Sequence, residues 1–188
     1  MNKFESNGFT DVEVANINFV KAKIKGLIWG FVQEMGPVVD SNNFFVSGGC
    51  VASLLQQDMP KDIDIWCRSE DVMAQTIKWY EKIQPHRIAI ADGKYRDVAV
   101  GQKLITENAV TLTDKIQLIR RQSGSVKDII DTFDYVHCKP YYDLMDDKLY
   151  ISKEQYDLCT KKKLKVNNPL AVKQYRTEKF LSRGYNWA

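Results

Sequence analysis

The chain has 188 residues, 44% hydrophobic and 27% charged, with a formal net charge of +3. That length suits one domain with a proper core, or one domain plus a small appendage, and no apolar run approaches the roughly 18 residues of a membrane span. Four scattered cysteines, Cys50, Cys67, Cys138 and Cys159, with no Cys-x-x-Cys pair and only two histidines, argue against a zinc site and for reduced thiols used as small core residues.

Met1–Asn7 lacks the apolar stretch of a secretory signal, which points to action in the cytoplasm. Thr10-Asp-Val-Glu13 has the form of a capping box, and Ile17, Val20, Ile24, Leu27, Ile28, Phe31 and Val32 recur at helical spacing. A long amphipathic helix is therefore predicted to about Met35, stopped by Gly36-Pro37. Phe44–Val46 reads as a short strand ending at Ser47-Gly48-Gly49, after which Val51–Leu55 opens a helix. Lys61–Cys67 is a second strand, and Glu70–Ile83 a helix ended by Pro85.

From His86 to Ile119 the pattern breaks into short apolar runs at Arg87–Ile90, Asp97–Val100, Lys103–Thr106, Ala109–Leu112 and Lys115–Ile119. Several look like antiparallel strands or hairpin arms. Ser125–Asp131 predicts a short helix capped by Ser125, and Thr132–His137 alternates as a third strand. Lys153–Lys163 and Asn168–Arg183 read as two helices, the second opened by Asn168 with Pro169 in its first turn. Charge is unevenly spread: Thr160–Ala188 holds eight Lys/Arg against one acid, Glu178, on an otherwise mildly acidic body. A basic tail of this kind attracts phosphate backbones, although solvated lysines give the same composition.

Side chains alternate across a strand, so Asp62 and Asp64 share one face while Ile63 and Ile65 take the other. Neighbouring carboxylates repel unless a cation sits between them, and hard oxygen ligands suit Mg²⁺. Asp134, opposite Phe133 and Tyr135, is the third candidate carboxylate, with Asp131 as its competitor. Ser47, Gly48 and Gly49 precede a helix, where glycine permits close backbone approach to phosphates. Arg120 and Arg121 follow a strand and could meet phosphate or solvate a loop. Arg176, Lys179 and Arg183 share one helix face, interleaved with Tyr175, Phe180, Tyr185 and Trp187 for base stacking or for docking on the core. Lys94 and Arg96 are weaker phosphate candidates, and His86 and His137 read as structural.

The order glycine pair, short helix, Asp62-x-Asp64 and later Asp134 resembles the DNA-polymerase-beta-type nucleotidyltransferase superfamily. Within it, the pattern is similar to the head domain of transfer-RNA (CCA-adding) nucleotidyltransferases and poly(A) polymerases. Phe133-Asp-Tyr135, Tyr141-Tyr-Asp143 and the Tyr175-Arg176, Lys179-Phe180, Arg183-Gly184 ending also resemble small nucleotidyltransferase-like proteins of tailed bacteriophages. The resemblance implies an α+β fold, a small mixed sheet backed by helices: a core over residues 1–150 and a basic helical C-terminal extension over residues 151–188. It implies two Mg²⁺ ions on Asp62, Asp64 and Asp134, a nucleoside triphosphate at Ser47, Gly48 and Gly49, and transfer of its nucleotidyl group to a hydroxyl.

RNA is the favoured acceptor because of the tail, with no membrane partner, and in a phage setting the host cytoplasm is the site of action. The same reaction on a protein or small-molecule hydroxyl, and a non-catalytic nucleotide- or RNA-binding or phage–host interaction protein, are the alternatives. Ala52-Ser53 stands where CCA-adding enzymes have Arg-Asp, and their templating Glu-Asp-x-x-Arg motif is absent, which argues against CCA addition itself.

Overall fold

In the computed structural model, which describes residues 8–188, helix α1 (Asp11–Met35) opens on the expected capping box. The Glu13 N–H donates to the Thr10 hydroxyl and the Glu13 carboxylate accepts from the Thr10 N–H. The reading of Met1–Asn7 lies outside the described residues. The chain continues through β1 (Phe44–Ser47), α2 (Gly49–Leu55), β2 (Ile63–Cys67), α3 (Glu70–Ile83), β3 (Ala109–Thr111) and β4 (Ile116–Ile119). After α4 (Val126–Ile130) come the hairpin β5 (Tyr141–Asp143) and β6 (Lys148–Tyr150), α5 (Lys153–Thr160), β7 (Lys163–Leu164), α6 (Gln174–Ser182) and β8 (Asn186–Trp187).

The main sheet has six strands in the order β3-β4-β2-β1-β5-β6. Within this sheet, among the described residues, only β2 and β4 pair in parallel, with Asp64 opposite Gln117, and its other pairings are antiparallel; β7 and β8 form a separate parallel pair. This is the expected α+β class with a mixed sheet.

Strand alternation divides the core in two. On one face Phe44, Val46, Ile63, Ile65, Cys67, Ile116 and Leu118 pack with the apolar stripe of α1 and with Met73, Ile77 and Tyr80 of α3. The other face carries Phe45, Trp66 and Ile119, which pack with Phe133, Tyr135, Cys138, Leu164, Phe180 and Tyr185. The C-terminal residues therefore roof the sheet face on which Asp64 and Gln117 stand. Burying the tail rings Phe180 and Tyr185 contributes about 1.5–3 kcal/mol each, which is what binds a tail rich in lysine to the sheet.

Three expectations need correction. Of the runs between His86 and Ile119, only Ala109–Thr111 and Ile116–Ile119 are strands; Ile88, Ile90 and Ile105 make isolated bridges. Ala91, Val98 and Leu104 instead close a small satellite core of their own. Thr132–His137 is not a strand but a turn followed by a 3-10 segment at Val136–Cys138. Its backbone is satisfied from elsewhere: the Asn167 amide donates to the Phe133 carbonyl (2.8 Å) and the Asn167 N–H to the Asp134 carbonyl (2.8 Å). Finally, Asn168 caps only a 3-10 turn at Pro169–Ala171, and the helix proper starts at Gln174. The four cysteines are buried and free, and burial pushes the Cys50 and Cys138 thiols up to about 12, away from nucleophilic use.

Candidate active site

Where β1 ends, Gly48 takes φ +108° and ψ −153°, a conformation essentially restricted to glycine. A Cβ there would sit 2.8 Å from Asp64 Oδ2. The glycine is thus required both for the turn and for the room it leaves beside that carboxylate. The other side of the turn is fixed by the Gly48 N–H donating to the Cys138 carbonyl at 3.1 Å.

Gly48 and Gly49, Asp62 and Asp64 at the start of β2, Gln117 of β4, Arg121, Asp134, and Lys173, Arg176, Lys179 and Arg183 from the tail line one cleft of about 510 Å³. Trp66, two residues beyond Asp64 and so on the same face, also lines it. The Arg121 guanidinium lies 5.3 Å over the Trp66 ring, and the Trp66 indole N–H has no hydrogen-bond partner among the described residues.

Neither Asp62 nor Asp64 forms a salt bridge or hydrogen bond within the described residues. Burial, and then the neighbouring Asp62 charge, push the Asp64 carboxyl up to about 6; Arg121, Arg176 and Lys179 pull it the other way. Five cations in the cleft, Lys61, Arg121, Lys173, Lys179 and Arg183, form no salt bridge among the described residues. Burial, and then repulsion from Arg183 and Arg176, lower the Lys179 pKa. A cleft so charged seeks an anion.

Asp134 is in a different situation. Its carboxylate accepts from Arg176 Nε at 2.8 Å and from a second Arg176 nitrogen at 3.2 Å, and from the Tyr135 N–H at 2.9 Å. The pair is largely buried, with the Asp134 side chain 7% exposed. Among the described residues no three His, Cys, Asp or Glu side chains gather into a group able to hold a metal ion. What remains is two carboxylates free of protein partners and the Cβ-free space beside Asp64. That donor set fits a hard divalent cation.

Of the residues singled out in the sequence, the cleft brings together Gly48, Gly49, Asp62, Asp64, Asp134, Arg121, Arg176, Lys179 and Arg183. It does not include Ser47 or Arg120. The Ser47 side chain is wholly buried, its hydroxyl within reach of the Pro140 (3.0 Å) and Cys138 (3.3 Å) carbonyls. Arg120 points to solvent. Sequence reasoning missed Lys61, Ser53, Trp66, Gln117 and Lys173. For Trp66 and Gln117 the period-two alternation was the available signal, since each falls on the sheet face that carries Asp64.

A smaller chamber of about 380 Å³ adjoins the cleft, sharing Gly49, Ser53, Lys61 and Arg183 with it. His137 lines it, packed edge-on against Phe180 and tilted against Tyr185. Burial pushes this imidazole down to about 4, so it is neutral.

The Gabija anti-defense 2 family model matches residues 18–162. Two solved structures share the fold: a CCA-adding enzyme in complex with ATP, and the Thermotoga maritima CCA-adding enzyme complexed with tRNA-CCA. The first has 15% identity and a TM-score of 0.57, covering 86% of this chain and 40% of that one. The second has 17% identity and a TM-score of 0.54, covering 92% and 42%. The chain thus spans about two fifths of the length of either enzyme. The chain therefore has the fold of the matching part of these two enzymes. No curated protein matches the chain, and among the described residues no helix is long and apolar enough to cross a membrane.

Proposed function

We propose that this chain, which belongs to the Gabija anti-defense 2 family, is a Mg²⁺-dependent nucleotidyltransferase that moves a nucleoside monophosphate from a triphosphate to a hydroxyl, RNA being the favoured acceptor. One observation carries the reading: two carboxylates, Asp62 and Asp64, and five cations, none of them in a salt bridge among the described residues, line a single cleft beside the Gly48 turn. The acids suit a cation, and the cations suit a polyphosphate.

When bound, the metal supplies charge neutralisation between the acids and the phosphates and lowers the pKa of the acceptor hydroxyl. Asp62 and Asp64 would hold it. Arg121, Lys179 and Arg183 draw the triphosphate into the cleft and orient it, as preorganised positive charge does where water is partly excluded. The acceptor oxygen bonds to the α-phosphorus, the bridge to the β-phosphate breaks, pyrophosphate leaves and the hydroxyl proton passes to solvent. Tyr175 and Arg121, both exposed, offer surfaces for a base. The complexes of the two CCA-adding enzymes with ATP and tRNA-CCA support a nucleotide and an RNA as partners. The family description supports the bacteriophage setting, with action in the host cytoplasm.

The test is incubation of the purified chain with each α-labelled triphosphate and Mg²⁺ in host lysate, with and without ribonuclease. Label is expected in a ribonuclease-sensitive product, with none formed by Asp62→Ala or Asp64→Ala. Label that survives ribonuclease but not protease shifts the acceptor to protein. Undiminished turnover in either mutant ends the catalytic proposal.

A further inference from the structure

We propose that the acidic pocket holds one divalent cation rather than two, on Asp62, Asp64 and the side-chain amide oxygen of Gln117, with Asp134 outside its coordination sphere as the positioning residue for Arg176. This rests on the nucleotidyltransferase reading of the same cleft.

Strands β2 and β4 run parallel with Asp64 and Gln117 as direct partners, and neighbouring strands lie about 4.8 Å apart. Ile63, Ile65, Ile116 and Leu118 occupy the opposite face, so Asp64 and Gln117 stand side by side on the cleft face, and both line it. The Gln117 amide makes no hydrogen bond within the described residues. It is thus an unclaimed hard oxygen beside a carboxylate that has none of its own partners. Gly48 keeps the space beside Asp64 Oδ2 open, where any Cβ would intrude.

Asp134 is already engaged. Three donors, two from Arg176 and one from Tyr135, already occupy both of its oxygens, and recruiting it to a metal would strand a largely buried guanidinium. What Asp134 does instead is aim Arg176, and with it the α6 face bearing Lys179, at the acids.

One divalent cation neutralises the charge of Asp62 and Asp64. A second would add two positive charges to a cleft that already holds five cations without a salt bridge and, among the described residues, offers no further free carboxylate. In this chain the tail cations take the place of a second protein-held ion.

The test uses Mn²⁺ as the probe, counted by the electron paramagnetic resonance of the free ion during titration of the full chain. One Mn²⁺ per chain is expected. Asp134→Asn, which keeps an acceptor for the Tyr135 N–H, should leave Mn²⁺ affinity within about twofold, whereas loss of a true ligand costs at least about tenfold. The same variant should weaken ATP binding in EDTA several-fold, because Arg176 is no longer held. Gln117→Glu adds a charged ligand and should tighten Mn²⁺ by about tenfold or more. Gln117→Leu should weaken it, which keeps the test informative if the glutamate variant fails to fold.

Two Mn²⁺ per chain, tenfold weaker binding in Asp134→Asn, or no change in either Gln117 variant would overturn the assignment. If Mn²⁺ behaves as expected but Asp62→Ala still releases pyrophosphate, only the transferase reading fails. If Asp62→Ala is silent and Asp134→Asn loses Mn²⁺, only this assignment fails.

Discussion

Replacing Asp64 by Asn should make the metal-free protein more stable while destroying its activity. Asp64 sits partly buried next to Asp62, and burial followed by that repulsion raises its pKa from 3.8 to about 6. A tenfold change in proton affinity is worth about 1.4 kcal/mol, so keeping the carboxylate charged costs the metal-free fold at most about 3 kcal/mol, less what residual solvent screens. The sign follows from the folded pKa lying above the unfolded one. Between 3.8 and about 6 the folded state binds more protons, so stability falls as pH rises through that window, and the full penalty applies above it. The gain from Asp64→Asn should therefore be absent near pH 3.8, grow through the window and level off above about pH 6. For a chain of this size about 3 kcal/mol corresponds to roughly 6–12 °C in Tm. Thermal melts of wild type and mutant in EDTA across pH 4–8 read it directly, and excess Mg²⁺ should narrow the gap by stabilising only the wild type. A mutant no more stable than wild type above pH 6.5, or a gain that ignores pH, would refute the account of Asp64 as a strained charge awaiting a cation.

Ser47→Ala should cost about 1–2 kcal/mol of stability in urea unfolding by leaving buried carbonyls short of a donor, with nucleotide affinity unchanged, because the hydroxyl faces Pro140 and Cys138 rather than the cleft. Gly48→Ala should cost about 2 kcal/mol or more from backbone strain alone, and should lower metal affinity as well, since its Cβ meets Asp64 Oδ2; calorimetric Mn²⁺ titration of whatever folds checks the second effect. Lys179→Ala and Arg183→Ala should each flatten the dependence of log affinity for an oligoribonucleotide on log salt by about 1, read by fluorescence anisotropy, and an unchanged slope would remove that side chain from the phosphate path.

Much of the architecture is legible without coordinates because it is local. The Thr10–Glu13 capping box, the apolar stripe of α1, the Gly48-Gly49 turn and the alternation in Ile63–Cys67 are each set by residues within a few positions of one another, and propensity and pattern agree there. The segments that read wrongly are those whose backbone partners are distant. Thr132–His137 alternates like a strand, yet Asn167 and Lys165 supply its hydrogen bonds, and alternation carries no information about that partner. The runs between His86 and Ile119 have strand character but close on a satellite core of Ala91, Val98 and Leu104.

The candidate site divides the same way. Sequence by itself determined that Asp62 and Asp64 share a face next to a glycine turn, because strand periodicity and the conformational demand on Gly48 are properties of neighbouring residues. Only the tertiary structure decided that Arg176, 42 residues away in sequence, claims Asp134, that Gln117 stands beside Asp64, and that a basic tail forms the wall of the cleft. Pairing across strands and docking of the tail depend on which buried surfaces find each other, and electrostatic partnership is settled by that proximity rather than by the order of residues along the chain.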